Sequence, residues 1–286
     1  MTTGDREEGA RRADPGEGSN TGGATAAADG SIFVEERGAL LCVTLDHPAK
    51  RNALTRAMLE RLRELFSSAR DRSDLRAVIL TGAGRNAFCA GTDIAELSAL
   101  DEAGARAASR RGQEVCDAVE LCGVPVIAAV NGAAAGGGCE LALACHLRVA
   151  APNASFSLPE TRLGVLPAYG GTQRLARALG AGRALAAMLA GDALSAEEAL
   201  RLGVVNRVAE PDRLMAAAES LAAAVSEHAP LAVRACLEAV TRGARLTLAE
   251  GLALEAELFA RLFATEDVRE GTRAFLEKRA PVFKGK

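Results

Sequence analysis

Apolar positions recur along this chain at two spacings, and the change from one to the other predicts most of its architecture. "SIFVEE" and "ALLCVTLD" read as two short strands joined by a turn at Arg37-Gly38. "HPAKRNAL" is a polar loop. In "TRAMLERLRELFSSARD" the apolar residues fall at helical spacing, with Leu59, Leu62, Leu65, Phe66 and Ala69 on one face. "RAVILTG" is a continuous apolar run of strand length, the mark of a buried parallel strand. "AGRNAFCAGTDIAEL" reads as a loop. A helix over roughly 101–121 follows, then the strand "VPVIAAVNG", a glycine stretch with its helix, and the strand "HLRVAAP". This alternation predicts a parallel, crossover-connected α/β domain. No internal sequence repeat is visible. From about residue 171 the pattern is almost wholly helical, with helices expected at 171–179, 182–190, 195–202, 212–227, 230–243, 247–264 and 266–278. "GVVNRV" is a short extended interruption. A helical C-terminal region packed on the α/β core, or on another subunit, is implied.

The chain has 286 residues, 49% of them hydrophobic, enough for one large domain or one domain with an appendage. A net charge of −3 gives no whole-chain argument for nucleic acid or membrane. The lack of tryptophan and the single tyrosine, Tyr169, argue against aromatic base-stacking platforms. The seven cysteines include no C-x-x-C pair and sit mostly in apolar runs, which reads as reduced core thiols of a cytoplasmic protein. No apolar run approaches the roughly 20 residues of a membrane span. Residues 1–30 are rich in Gly, Ala and charge of both signs. They lack an apolar signal core, are too acidic for a transit peptide, and read as a disordered tail. The expected division is this tail, an α/β core at 31–210 and a helical region at 211–286.

Candidate chemistry concentrates in "NGAAAGGGCELALAC", Asn131 to Cys145, where three glycines enter a helix. Glycine in a helix costs about 1 kcal/mol relative to alanine. A helix N-terminus presents unpaired N–H groups and a partial positive charge, and glycines let a ligand approach them closely. Tight helix–strand packing uses glycine as well, and the stretch alone leaves both readings open. It matches neither G-x-x-x-x-G-K-[ST] nor G-x-G-x-x-G. "AFCAGTDI", Ala87 to Ile94, follows a buried strand. Two such loops at the ends of adjacent parallel strands lie where α/β folds bind ligands. Glu140 and Glu160 stand beside apolar and glycine-rich segments, where an unpaired charge is expensive. Two acids at one site push their titrations apart, so that one serves as base and the other as proton donor.

From about Phe33 to Phe283 the chain resembles the crotonase, or enoyl-CoA hydratase/isomerase, superfamily. The resemblance rests on the order and spacing of "HPAKRNAL", "AFCAGTDI", "NGAAAGGGCELALAC", "SFSLPETRLGVLPAYGGTQRL", "LSAEEALRLGVVNRV" and "GTRAFLEKRAPVF". It implies a spiral of β-β-α units followed by a helical trimerisation region, usually a dimer of trimers. It implies stabilisation of an acyl-CoA thioester enolate by two backbone N–H groups, those of Thr92 and Gly137. It also implies a water held by two glutamates, with Glu140 mainly activating the water and Glu160 moving a proton at Cα. Isomerases of the family often keep one acid, so having both favours hydration over Δ3,Δ2-enoyl-CoA isomerisation. For CoA, the resemblance points to Lys50 and Arg51 near phosphates, to backbone around Ala90, Asp93 and Ile94, and to Phe275 and Lys278 of the last helix. CoA enters only as part of the substrate, with no separate cofactor and no metal.

The chain departs from the family at several positions. Thr92 stands where many members have Ala. Ala168 stands where many hydratases have Gly, strained if a positive φ is needed there, and Tyr169 beside it narrows the acyl pocket. Ala95 replaces a Lys of some hydratases, and His146 reads as structural. With His47 and His228 it forms no metal-ligand cluster. Two rival readings come from another class. RNA binding through Arg56, Arg61, Arg63, Arg70 and Arg72 is weakened by the interleaved Glu60, Glu64 and Asp71, which suit helix-face ion pairs. A non-catalytic oligomeric scaffold is weakened by the intact acids and glycine loops.

Overall fold

β1 (Ser31–Arg37) and β2 (Leu40–Asp46) pair antiparallel. From β2 onward the pairing is parallel: β2 with β3 (Ala77–Gly82), β3 with β5 (Val126–Val130), β5 with β7 (Leu147–Ala150), and β7 with β10 (Arg207–Val208). The larger sheet therefore has the order β1-β2-β3-β5-β7-β10. A smaller sheet of order β4-β6-β8-β9 is built from β4 (Ala87–Cys89), β6 (Ala133–Ala135), β8 (Ser155–Ser157) and β9 (Leu194–Ser195). This computed structural model describes residues 30–286. The tail expected over residues 1–30 lies, apart from Gly30, outside the described residues.

The order of elements is a spiral. β3 and β4 are followed by α2 (Ile94–Ser98) and α3 (Glu102–Glu120), β5 and β6 by α4 (Gly137–Ala144), and β7 and β8 by α5 (Gly171–Leu179). Each turn lays its first strand in the larger sheet and its second in the smaller one. The β-β-α spiral with a helical C-terminal region is thus the fold. Its repetition is geometric and leaves no residue repeat behind. α1 (Arg56–Ala69) buries Met58, Leu59, Leu62, Leu65, Phe66 and Ala69, the expected face with Met58 added, and Thr55 caps it by accepting from the Met58 N–H.

β3 and β5 are apolar on both faces because both faces are covered. One side meets the main core, around Phe66, Phe88 and Leu141. The other packs Ile79, Ile127 and Val149 against Leu214, Ala218 and Ala222 of α8 (Leu214–Ser226). So α8, within the stretch 211–286, lies on the sheet. Beyond it come α9 (Pro230–Gly243), α10 (Leu248–Leu262) and α11 (Glu266–Glu277). α10, Phe263 just after it, and α11 leave Leu248, Leu252, Phe259, Phe263, Phe275 and Leu276 exposed. α6 (Ala181–Leu189) and α7 (Ala196–Arg201) complete the helices, each within two residues of its expected bounds.

The expected loop over 83–97 is corrected. It contains β4 and α2, and β6, β8 and β9 were likewise not foreseen. Two- and three-residue strands of Ala, Cys, Phe, Leu and Ser carry no readable period. They exist because each pairs with the next, Ala87 with Ala133 and Ala133 with Ser155. Six cysteines are buried and free, and Cys236 is exposed. Among the described residues no helix is long and apolar enough to cross a membrane, and no cluster of three His, Cys, Asp or Glu side chains suits a metal.

Candidate active site

The smaller sheet delivers its parallel strands β4 and β6 to one place, and the loops after them press together. Gly91, at φ +98°, allows this. A Cβ there would lie 2.8 Å from the Ala135 carbonyl oxygen and 3.1 Å from the Gly137 nitrogen. Thr92 is thereby set beside Gly137, its hydroxyl 3.4 Å from where a Gly137 Cβ would be. Among the described residues neither the Thr92 N–H nor the Gly137 N–H has a protein acceptor. The neighbouring Leu54 N–H donates to Gly91 O and the Asp93 N–H to Leu54 O, pinning this loop from the far side.

The three glycines at the entrance to α4 have different surroundings. Gly138 packs: its Cβ would meet the Cys89 carbonyl at 2.2 Å. Gly136 and Gly137 face the site. Gly136 caps α4 at φ +50°, ψ −128°, a conformation close to glycine-only, and a Cβ there would come 2.9 Å from Glu160 Oε1.

Both acids reach this point. Glu140, in the first turn of α4, is 1% exposed. Its Oε1 accepts the N–H of Tyr169 at 2.8 Å and of Gly171 at 2.6 Å, both from the segment entering α5. Its Oε2 has no hydrogen-bond partner among the described residues. Burial pushes its carboxyl up to about 7. The Gly171 N–H opposes that rise, and the charge of Glu160 adds to it. Glu160 begins a single helical turn after β8. Its Oε2 is buried without a partner, and burial raises its pKa as well. A half-satisfied carboxyl pair beside free N–H groups suits a polar substrate that supplies the missing hydrogen bonds. Burial of both carboxyls also disfavours ionising the two together.

Tyr169 stands over the same glycine. A Gly137 Cβ would meet its Cε2 and Cδ2 at 2.9 and 3.0 Å, and its hydroxyl accepts from Thr92 Oγ1 at 2.9 Å. Ala168 is not among the left-handed non-glycine residues, which are Arg51, Asn52 and Lys278, so the strain feared there does not arise. Its carbonyl accepts from Ser109 Oγ at 2.9 Å and Gln113 Nε2 at 3.1 Å.

Other expected residues divide. Lys50, expected near phosphates, is held by Asp93 Oδ2 at 2.6 Å, and Lys50 in turn holds the Asp93 carboxyl below its ordinary range. Asp93 also caps α2 through the Ala95 N–H. The Ala90 N–H donates to Arg51 O, so Lys50, Arg51, Ala90, Asp93 and Ile94 form one cluster beside Thr92, with Ile94 exposed. Phe275 is 83% exposed, and no hydrogen bond or ion pair of the Lys278 side chain joins it to the acids among the described residues. His146 is structural. Its Nδ1 accepts the Val126 N–H at 2.9 Å, its Nε2 donates to Glu120 O at 3.0 Å, and burial lowers its pKa. Along α1, Arg56 pairs with Glu60 and Arg61 with Glu64, while Arg63 pairs with Glu114 of α3.

Sequence reasoning missed Arg174. Its Nη1 donates to the Tyr169 carbonyl at 3.2 Å, and its Nη2 reaches Asp117 at 2.9 Å and Glu120 at 2.8 Å. It braces the peptide unit that follows Tyr169, whose N–H holds Glu140. The signal was present in "GGTQRL", but an arginine in an amphipathic helix has no visible partner until α3 is placed against it.

The family model for enoyl-CoA hydratase/isomerase matches residues 35–286. A short-chain-enoyl-CoA hydratase of Clostridium acetobutylicum is 41% identical over 249 residues, covering 87% of this chain and 95% of that protein. A crotonyl-CoA hydratase of Syntrophomonas wolfei is 39% identical, covering 88% and 97%. Among solved structures, an enoyl-CoA hydratase from Bacillus anthracis superposes with a TM-score of 0.85 at 39% identity, covering 89% of this chain and 99% of that one.

Proposed function

The chain belongs to the enoyl-CoA hydratase/isomerase family, and from that premise we propose that it is an enoyl-CoA hydratase, a lyase adding water across the α,β double bond of a 2-enoyl-CoA. The observation that carries this reading is the meeting of buried Glu140 and half-buried Glu160 with two backbone N–H groups that have no protein acceptor, beside the N-terminus of α4. The Thr92 and Gly137 N–H groups donate to the thioester oxygen, assisted by the helix end. Charge that develops there as the enolate forms is stabilised by about 10²–10³ in rate per donor. Glu140 and Glu160 hold one water. Ionised Glu140 takes a proton from it, the hydroxide adds to Cβ, and protonated Glu160 delivers a proton to Cα. The pair ends with the one proton it began with, now on Glu140, and exchange with solvent resets it.

CoA is part of the substrate, and the reaction needs no other cofactor and no metal. Lys50, Arg51, Ala90, Asp93 and Ile94 line its approach. In this reading residues 31–210 are the catalytic body and 211–286 the self-associating region, in a cytoplasmic trimer or dimer of trimers. The exposed Phe259, Phe263, Phe275 and Leu276 support that association, and Phe275 and Lys278 reach a CoA through it.

An ultraviolet assay of 2-enoyl-CoA disappearance tests the reading, run on wild type, Glu140→Ala and Glu160→Ala. Each variant is expected to lose at least 100-fold in turnover. If neither loses activity, the two-acid mechanism is wrong. If wild type only converts 3-enoyl to 2-enoyl thioesters, the protein is an isomerase.

A further inference from the structure

α3 carries Gly112 in the middle of nineteen helical residues, where glycine weakens a helix. The Tyr169 ring explains it: a Cβ on Gly112 would overlap ring carbons at 2.0–2.2 Å. The opposite edge of the ring presses on Gly137, and the hydroxyl is pinned by Thr92 Oγ1. The ring is therefore wedged between α3 and the two residues whose N–H groups receive the thioester, and Tyr169 is 5% exposed. The same residue's N–H holds Glu140, so the ring is carried on the backbone that also positions the base.

We propose that Tyr169 determines substrate specificity: its ring fills the space beside Gly137 and Thr92 into which the acyl chain extends past Cβ, and it restricts this site to short acyl groups. This rests on the acyl-CoA reading above. The competing course for a chain runs the other way, over the exposed Leu163, Val165 and Leu166 that follow Glu160. On that course Tyr169 is a wall that the chain never meets.

The two courses separate on a chain-length series from four to ten carbons. Turnover is measured with trans-2-enoyl-CoAs and binding with the matching saturated acyl-CoAs by calorimetry, on wild type, Tyr169→Ala and Tyr169→Phe. Wild type is expected to prefer four carbons. Each methylene that gains a buried place is worth roughly four-fold. Tyr169→Ala should therefore move the eight-to-four-carbon ratio by about 15-fold or more toward eight for two methylenes admitted. Tyr169→Phe, which keeps the ring and loses the hydroxyl, should keep the wild-type ratio. An unchanged ratio in Tyr169→Ala overturns the proposal, as does a wild type indifferent to length. If Tyr169→Ala does not fold, Tyr169→Leu decides by the same ratio. A wild type that binds butyryl-CoA but hydrates nothing sinks the hydratase reading alone, because the binding series still reports on Tyr169.

Discussion

Replacing Glu140 with glutamine should make the protein more stable and nearly inactive, and the size of both effects follows from the site. Glutamine keeps the shape and a carbonyl oxygen for the Tyr169 and Gly171 N–H groups, now held by Glu140 Oε1. It removes the charge. In the folded protein that carboxyl titrates at about 7 rather than its ordinary 4.5, chiefly because it is buried. The folded state thus binds the proton more tightly than the unfolded chain. The associated stability is fully present below about 4.5 and is lost as pH rises through about 7. Above that pH the ionised carboxylate costs about 3 kcal/mol, at 1.36 kcal/mol per pH unit. Glu140→Gln carries no such cost.

Urea unfolding at equal protein concentration should therefore find Glu140→Gln more stable than wild type by up to about 3 kcal/mol at pH 8, with the gap closing toward pH 5. Hydration by the variant should fall by about 10²–10⁴ with loss of the base. A variant less stable than wild type at pH 8, or a gap that does not change with pH, would refute the claim that this carboxyl is held against its preferred ionisation state. Retained turnover would refute its role.

The dependence of kcat/KM on pH should be bell-shaped, because the reaction uses the pair with one proton. Burial raises both carboxyls, so activity should fall at acid pH when both are protonated and at alkaline pH when both are ionised, and the two apparent values belong to the pair. A single monotonic limb would show that one of the acids is idle. Gly136→Ala should lose about 1–3 kcal/mol from its backbone conformation and push Glu160 from its place. Melting curves and turnover should drop together, and an active variant would contradict the close approach of Glu160 to the helix cap. His146→Ala should cost about 1–3 kcal/mol in urea unfolding, from the Val126 N–H left unpaired, while turnover per folded molecule stays at the wild-type level. A large loss of turnover would place His146 in the chemistry instead.

What was legible in the residues was whatever a local pattern enforces. Apolar period placed α1 and α3 and the buried strands β3 and β5, because one-sided or two-sided burial imprints directly on which positions are greasy. The glycine run marked the entrance to α4, since a backbone that must be approached closely excludes side chains of every kind. Glu140 and Glu160 stood out as acids in segments that otherwise avoid charge. Pairing, packing and ionisation were decided in three dimensions. β4, β6 and β8 are too short to have a period and become strands only beside one another. Lys50 looked free for phosphate until Asp93 was set against it, and Arg174 had no visible task until α3 supplied Asp117 and Glu120. Gly112 passed unremarked in the sequence, and the Tyr169 ring fills the space it leaves. Local order depends on neighbours a few bonds away and is written in the chain. The environment of a carboxyl or a ring depends on groups dozens of residues distant, and it exists only once folding has brought them together.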